Sequence, residues 1–244
     1  MARFHGKDCR VYLGKRDASG DLVNIDVSAT AETHDVTTFG SGDFRQFKAG
    51  LGSWEASFNA IYDTEATPGV TTIGRQLEAL LGSNTAGVSI VSVYVGDADS
   101  TADTGWLGGE ATLTKIGQPV SVAEMIKVSG TLQGNGGLGT HAVLLSPLAA
   151  VSTTANGTSV DNTASSANGY RANLHVTAAT GTGGTIKVQH SSDNSTWVDL
   201  ATFTAATAAT SESMAATGTV NRYLRSVATI NVSSSLTFVV GTAR

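Results

Sequence analysis

Two segments decide the fold: residues 23–29 (Val-Asn-Ile-Asp-Val-Ser-Ala) and residues 54–60 (Trp-Glu-Ala-Ser-Phe-Asn-Ala). In each, apolar residues alternate with polar ones, which is the period of a β-strand that buries one face and exposes the other. Residues 126–132 repeat this alternation. Strands with one face in water are typical of antiparallel sheets, so the first part of the chain predicts an antiparallel β-sheet.

Other segments extend this sheet and add one helix. Residues 88–95 are apolar almost throughout, as in a strand buried on both faces, and residues 110–116 predict a further short strand. Residues 71–82 differ, because their apolar residues recur at helical spacing and end at Gly82. The fold class is therefore mainly β, with a β-sandwich or barrel and one flanking α-helix.

The composition changes near Pro147, beyond which Ser and Thr are abundant. Residues 149–169 have little to bury and predict a linker or an extended first strand. Later strands are predicted at residues 170–178, 185–190, 196–203, 223–230 and 236–240. We expect two domains, 1–148 and 149–244, the second a small all-β sandwich. Trp197 is expected in its core, since it lies in a predicted strand beside Leu200 and Phe203.

Charge and cysteine content exclude several classes of protein. The 244 residues carry a net charge of -5, with 10 Lys and Arg against 16 Asp and Glu in residues 1–148 and 5 against 4 thereafter. A protein that grips nucleic acid needs clustered cations, and none is present. Cys9 alone forms neither an internal disulfide nor a cysteine metal site. No apolar run reaches the roughly 18 residues of a membrane helix, and the charged start is unlike a secretion signal, so we expect synthesis in a cytoplasm and no membrane partner.

Three patterns resemble chemical motifs only in part. Gly134, Gly136 and Gly139 match the spacing of a dinucleotide fingerprint, but no helix is expected after them, which favours a turn. Residues 97–108 begin like a calcium loop but lack its central Gly and final Glu, so a solvated acidic loop is the better interpretation. The five histidines have no metal-ligand spacing, and no nucleophile motif occurs. We expect no enzyme activity, no cofactor and no metal.

An unusually long connection separates the two deciding strands. Residues 34–54 hold Phe39, Phe44, Phe47 and Leu51 among charges and glycines, whereas ordinary hairpin loops have about two to five residues. These apolar side chains either fold back on their own domain or form an arm that becomes ordered only on a neighbouring subunit.

This connection carries a family resemblance. Residues 35–63 resemble the major tail tube proteins of long-tailed, siphovirus-type bacteriophages, through Asp35–Gly40, Phe47, Lys48, the Gly50-Leu51 pair and Asp63. The similarity extends loosely over residues 7–146. Residues after 150 are similar to the immunoglobulin-like or carbohydrate-binding-like sandwiches that many phage structural proteins carry. The implied inter-subunit arm comprises Asp35, Val36, Thr37, Thr38, Phe39, Gly40, Phe44, Phe47, Lys48, Gly50 and Leu51.

The resemblance implies a virion structural protein of the phage tail. Its copies would form hexameric rings, which stack into the tube through which DNA is ejected. Asp26 and Glu55 are candidates to line an acidic lumen that DNA passes without binding. The implied partners are further copies of the chain, the tail tip or baseplate, tape measure and tail terminator proteins, and host glycans for the second domain. The alternative is a non-polymerising carbohydrate-binding or adhesin-like surface module.

Overall fold

The computed structural model describes residues 6–62, 77, 81, 90–95, 105–122 and 124–244. The regular secondary structure of these residues is almost entirely strand, which confirms the mainly β fold class. The strands are β1 Arg10–Leu13, β2 Arg16–Asp17, β3 Leu22–Asp35, β4 Phe47–Ile61, β5 Val91–Tyr94, β6 Gly105–Gly108, β7 Ala111–Gly117, β8 Lys127–Gly134, β9 Leu138–Val151, β10 Ala155–Asn156, β11 Val160–Asp161, β12 Tyr170–Thr180, β13 Gly184–Ser191, β14 Val198–Thr202, β15 Thr210–Ala216, β16 Tyr223–Ile230 and β17 Ser235–Ala243. A single 3-10 turn, Gly6–Asp8, precedes them.

Three antiparallel sheets organise the strands. The largest has eight strands in the order β15-β12-β17-β9-β6-β5-β1-β2. A four-stranded sheet runs β3-β4-β8-β7, and a five-stranded sheet runs β10-β16-β13-β14 with β11 also paired to β16. The β1 end of the eight-stranded sheet packs against the four-stranded sheet, and its β12 end packs against the five-stranded sheet.

The first sandwich is built from the alternating segments. Trp54, Ala56, Phe58 and Ala60 all point inward from β4, and they pack against apolar residues of β1, β5 and β8. Each of these four residues is at most 2% exposed. Burying a side chain of this size contributes about 1.5–3 kcal/mol, so the alternation read from the sequence corresponds to the main stabilising core of the first half.

The second sandwich packs the β12 and β17 side of the large sheet against the five-stranded sheet. Its core holds Leu174, Ile186, Phe203, Leu224 and Leu236, all of them buried. Trp197 lies outside this core, contrary to expectation. It is half-buried just before β14, where the guanidinium of Arg225 stacks over its ring at 4.1 Å.

Strand β9 belongs to both sandwiches. Its first residues pair with β6, and the stretch from Val143 to Val151 pairs with β17. The predicted boundary between residues 148 and 149 falls inside this strand, and the expected linker contributes the short strands β10 and β11. The division into two domains stays a prediction.

The structure adds detail to the expected elements. β15 was missed because its sequence, Thr-Ser-Glu-Ser-Met-Ala-Ala, contains few apolar residues. Most of the expected helix at 71–82 and the acidic loop at 97–103 lie outside the described residues. Leu77 is described, is helical and is buried in the first core, and the N–H of Leu81 donates to its carbonyl at 3.1 Å, as in one turn of α-helix.

Candidate functional site

The long connection forms a two-stranded ribbon that extends beyond its sheet. β3 pairs with β4 as far as Asp35 and Phe47, whereas β8 pairs with β4 only from Ile61 to Glu55. We call residues 30–53, which continue past the end of β8, the ribbon. Its paired part spans about 17 Å at about 3.4 Å per residue, and its tip is the loop at residues 36–46. All of its residues are exposed except Ser41, which is half-buried.

Local hydrogen bonds shape the tip of the ribbon. The N–H of Thr37 donates to Asp35 Oδ1 at 2.9 Å, and the N–H of Gln46 donates to Thr37 Oγ1 at 2.9 Å. The N–H of Thr38 donates to Ser41 Oγ at 2.9 Å. Hydrogen bonds from Thr37 to the Asp35 carboxylate hold the pKa of that carboxyl below its ordinary value. Asp35 and Thr37 therefore turn the chain back on itself without any apolar core.

The large apolar side chains of the ribbon do not fold back onto the first sandwich. Phe39 is completely exposed, Phe44 is 83% exposed and Leu51 is 80% exposed. Phe47 and Val36 are also exposed, to a smaller degree. The eleven residues of the predicted arm all lie on the ribbon or its tip. The structure thus leaves in solvent the side chains that the sequence marks out for contact with another chain.

A second exposed apolar group lies at the other end of the same sheet. Four residues of the loop between β7 and β8 are exposed, Val120 at 69% and Met125 at 67% among them, with Val122 and Ile126 beside them. This β7–β8 loop, residues 118–126, adjoins the end of β4, where the N–H of Tyr62 donates to the carbonyl of Ile126 at 2.9 Å. Sequence reasoning missed it, because the short Val-x-Val run is too brief to show a period.

The predicted lumen residues share one face of the four-stranded sheet. Asp26 lies opposite Ser57, and Glu55 opposite Ser28, on the side away from the core, and both carboxylates are exposed. The same face carries Lys115 on β7 and Lys127 on β8. Of these four side chains, the two acidic ones lie on β3 and β4 and the two basic ones on β7 and β8, where Lys127 is paired with Glu124 at 2.8 Å.

A buried polar network joins the two halves of the chain. His175 Nδ1 donates to the carbonyl of Gly14 at 2.6 Å, so Nε2 is the acceptor of the bond from Ser92 Oγ at 2.7 Å. Asn173 Nδ2 in turn donates to Ser92 Oγ at 3.0 Å. The ring of Tyr12 stacks on His175 at 5.5 Å. Burial lowers the pKa of His175 to about 4, which keeps its imidazole neutral.

This Ser92–His175 pair has the spacing of a nucleophile and its base, but its position excludes that role. Ser92, Asn173 and His175 are each 0% exposed. A catalytic serine must reach its substrate, whereas this hydroxyl is enclosed by protein on all sides. The pair fastens β12 to the first half of the chain.

The glycine pattern at residues 134–139 has a packing role. Gly134 ends β8, Gly136 adopts a positive φ of 93° in the turn, and Gly139 lies in β9. A Cβ atom at Gly134 would overlap the indole ring of Trp54, and Trp54 Nε1 donates to the carbonyl of Gly136 at 3.0 Å. The segment continues into a strand of another sheet, whereas the dinucleotide fingerprint requires a helix at this point.

Within the described part of the chain, no three His, Cys, Asp or Glu residues lie close enough to hold a metal ion. The helical residues among those described include no segment of the length and apolarity needed to cross a bilayer.

Comparisons with known proteins gave matches only among solved structures. No family model matches the chain, and no curated protein matches it. A chain from the virion of a native gene transfer agent particle is 19% identical with a TM-score of 0.41, over 56% of this chain and 97% of that one. A chain of the SPP1 tail tube is 10% identical with a TM-score of 0.39, over 55% and 77%. The SPP1 Dit protein, a paradigm of the hub adsorption apparatus in phages that infect Gram-positive bacteria, is 13% identical with a TM-score of 0.34, over 96% of this chain and 98% of that one.

Proposed function

We propose that this chain is a virion structural protein of the phage tail that assembles with copies of itself into a tube. The observation that carries the proposal is the ribbon, with Phe39, Phe44 and Leu51 in solvent. The resemblance of residues 35–63 to tail tube proteins, seen in the sequence, falls on this same segment. In that setting an exposed aromatic ribbon is a contact surface that is completed by another subunit.

Physical reasoning favours a partner for the ribbon. A two-stranded hairpin is marginally stable by itself, and large apolar side chains gain about 1.5–3 kcal/mol each when they are buried. The ribbon and the β7–β8 loop lie at opposite ends of the four-stranded sheet. Head-to-tail contact between these two ends uses different surfaces on each copy, so it repeats along an axis and generates a stack. We propose that the tip of the ribbon on one copy contacts the β7–β8 loop of the next.

Lateral contacts would join copies into rings. Among the described residues, β3 has β4 as its sole neighbour, so one edge of the sheet is open. At the other edge Leu81 bridges Leu113, and the last residues of β7 pair with β8 alone among the described strands. Pairing the edges of neighbouring copies closes the four-stranded sheets into a barrel and removes exposed edges. Hexameric rings are the arrangement we propose, following the family resemblance.

The remaining parts of the proposal concern the lumen and the partners. Asp26 and Glu55 would face DNA and repel its phosphates, so that DNA slides without binding. The tail tip or baseplate, tape measure and tail terminator proteins would contact the two ends of the tube. Residues 149–244 would lie on its outside. The protein would be made in the host cytoplasm, reside in the virion tail and catalyse no reaction.

A glycan-binding role for residues 149–244, and with it the surface-module alternative, has less support. An exposed aromatic ring can form a platform for a sugar, but Arg225 covers one face of the Trp197 ring. Arg225 also donates to Gln189 Oε1 at 2.8 Å, and Gln189 and Lys187 both donate to the carboxylate of Asp199. These polar groups bind one another, which leaves fewer of them free to recognise a ligand.

Crosslinking tests the proposed stacking contact. In a Cys9→Ser background, Asp43→Cys places a thiol at the tip of the ribbon and Val122→Cys places one on the β7–β8 loop. A short bismaleimide should then join successive copies into a ladder of covalent oligomers, and electron microscopy of the same sample should show rings or tubes. The matched control pairs Asp43→Cys with Val232→Cys, which is equally exposed but lies in the second sandwich. Equal ladders from both pairs would argue against the contact.

A further inference from the structure

A concave pocket opens where the two sandwiches meet. Its volume is about 340 Å³, within the range of small-molecule sites. Gly137, in the turn between β8 and β9, and Gly139, at the start of β9, form one wall, and the start of β12 forms another through Tyr170 and Arg171. Arg244, just after β17, completes the lining.

Arg171 is held in this pocket without a neutralising partner. The aliphatic stem of Arg171 lies along Gly139, where an added Cβ atom would come within 3.3 Å of Arg171 Cβ. The guanidinium of Arg171 donates from Nη1 to Ser213 Oγ at 3.0 Å. It forms no ion pair with any carboxylate of the described residues, whereas Arg16 pairs with Asp21 and Arg222 pairs with Asp161. Burial lowers the pKa of Arg171, so its charge is partly desolvated and uncompensated.

Arg244 also lines the pocket, but its guanidinium is bound outside it. Its Nη1 donates to the carbonyl of Ala164 and its Nη2 to the carbonyl of Asn162, each at 2.8 Å. Carbonyl oxygens fix the position of a guanidinium but do not cancel its charge. Neither Asn162 nor Ala164 lines the pocket, so Arg171 supplies the guanidinium that a ligand in the pocket would meet.

We propose that this pocket binds an oxyanion, the carboxylate or phosphate group of a small ligand, with Arg171 as the donor. A guanidinium offers a planar fork of donors that fits two oxygens of one such group. The glycines of the β8–β9 turn leave room for this approach, because they carry no side chains. Anion binding at this site is independent of tube assembly, since the ribbon lies at residues 30–53.

Titration of the full chain with small anions tests the site. Phosphate and acetate are added separately at constant ionic strength, balanced with chloride, while the amide signals of Gly137, Gly139 and Gly169 are followed by NMR. We expect saturable shifts with dissociation constants of roughly millimolar size. A preference for phosphate or for acetate identifies which group the pocket accepts.

Variants locate the binding. Arg171→Gln keeps a polar stem beside Ser213 but removes the charge, and we expect at least about 10-fold weaker binding, the usual contribution of a hydrogen bond to a charged group. Arg225→Gln removes one guanidinium from the five-stranded sheet and should leave binding unchanged. If Arg171→Gln is unfolded by circular dichroism, Arg171→Lys replaces it; this variant keeps the positive charge but loses the planar fork of donors, so weaker binding is again expected. Absence of saturation at roughly tens of millimolar anion, or equal weakening by Arg225→Gln, would overturn the proposal.

Discussion

Replacing Phe39 and Phe47 with Ser separates assembly from folding. Phe39 is completely exposed and Phe47 is 59% exposed, so the monomer should lose no more than about 0.5 kcal/mol of folding free energy at each site. At a subunit contact the loss is larger. Burial of Phe39 is worth about 1.5–3 kcal/mol, and burial of the exposed part of Phe47 about 1–2 kcal/mol. The sum of about 2.5–5 kcal/mol corresponds to roughly two to three and a half powers of ten in the association constant.

The assay measures the concentration at which rings or tubes first appear. Sedimentation velocity and negative-stain electron microscopy across a dilution series should show that concentration rise by at least about 100-fold for the double variant, with the unfolding transition unchanged. Val232→Ser is the matched control, because Val232 is 92% exposed but lies between β16 and β17. An assembly concentration unmoved in the double variant, or moved as far by Val232→Ser, would refute the role of the ribbon.

Two further predictions concern the interior. Burial lowers the pKa of His175 from 6.5 to about 4, so between these pH values the unfolded chain takes up a proton that the native chain does not. The contribution of His175 to stability is therefore complete above pH 6.5 and is lost on acidification. Urea unfolding should show a loss of about 1.4 kcal/mol per pH unit in that window, and His175→Gln should remove this part of the slope. Gly134→Ala should force Trp54 out of position and cost about 3 kcal/mol in the same measurement, whereas Gly20→Ala, whose Cβ atom meets nothing within 4 Å, should be nearly neutral.

Sequence patterns predicted those strands whose burial follows a simple period. The segment at 54–60 buries one face and matches the second half of β4. The ribbon strands were not predicted as strands, because residues 30–35 and 47–53 bury neither face and show no apolar period. β9 was obscured by Pro147 and by irregular pairing near its middle. Their pairing depends on contacts with distant strands, which a local pattern does not encode.

The candidate site was predicted in part for the same reason. The ribbon was recognisable in the sequence because a connection of unusual length contains several aromatic residues, and this is visible without knowing which strands pair. The Ser92–His175 network gave no such signal, since Asn173 and His175 occupy the polar positions of an alternating strand. Such positions normally face water, but here β12 is covered on both sides and they face Ser92 and Gly14. A polar face that is buried by another part of the chain looks like a solvent face in the sequence.

Strand β9 also determines how the molecule carries mechanical load. The connection between the two sandwiches is a strand with neighbours on both sides, β6 along its first part and β17 along the rest. A pull along its axis loads these backbone hydrogen bonds together in shear, whereas a flexible tether would transmit no force until it was taut. Tension on the second sandwich is thus passed through β9 into the eight-stranded sheet, which packs against the four-stranded sheet that carries the ribbon.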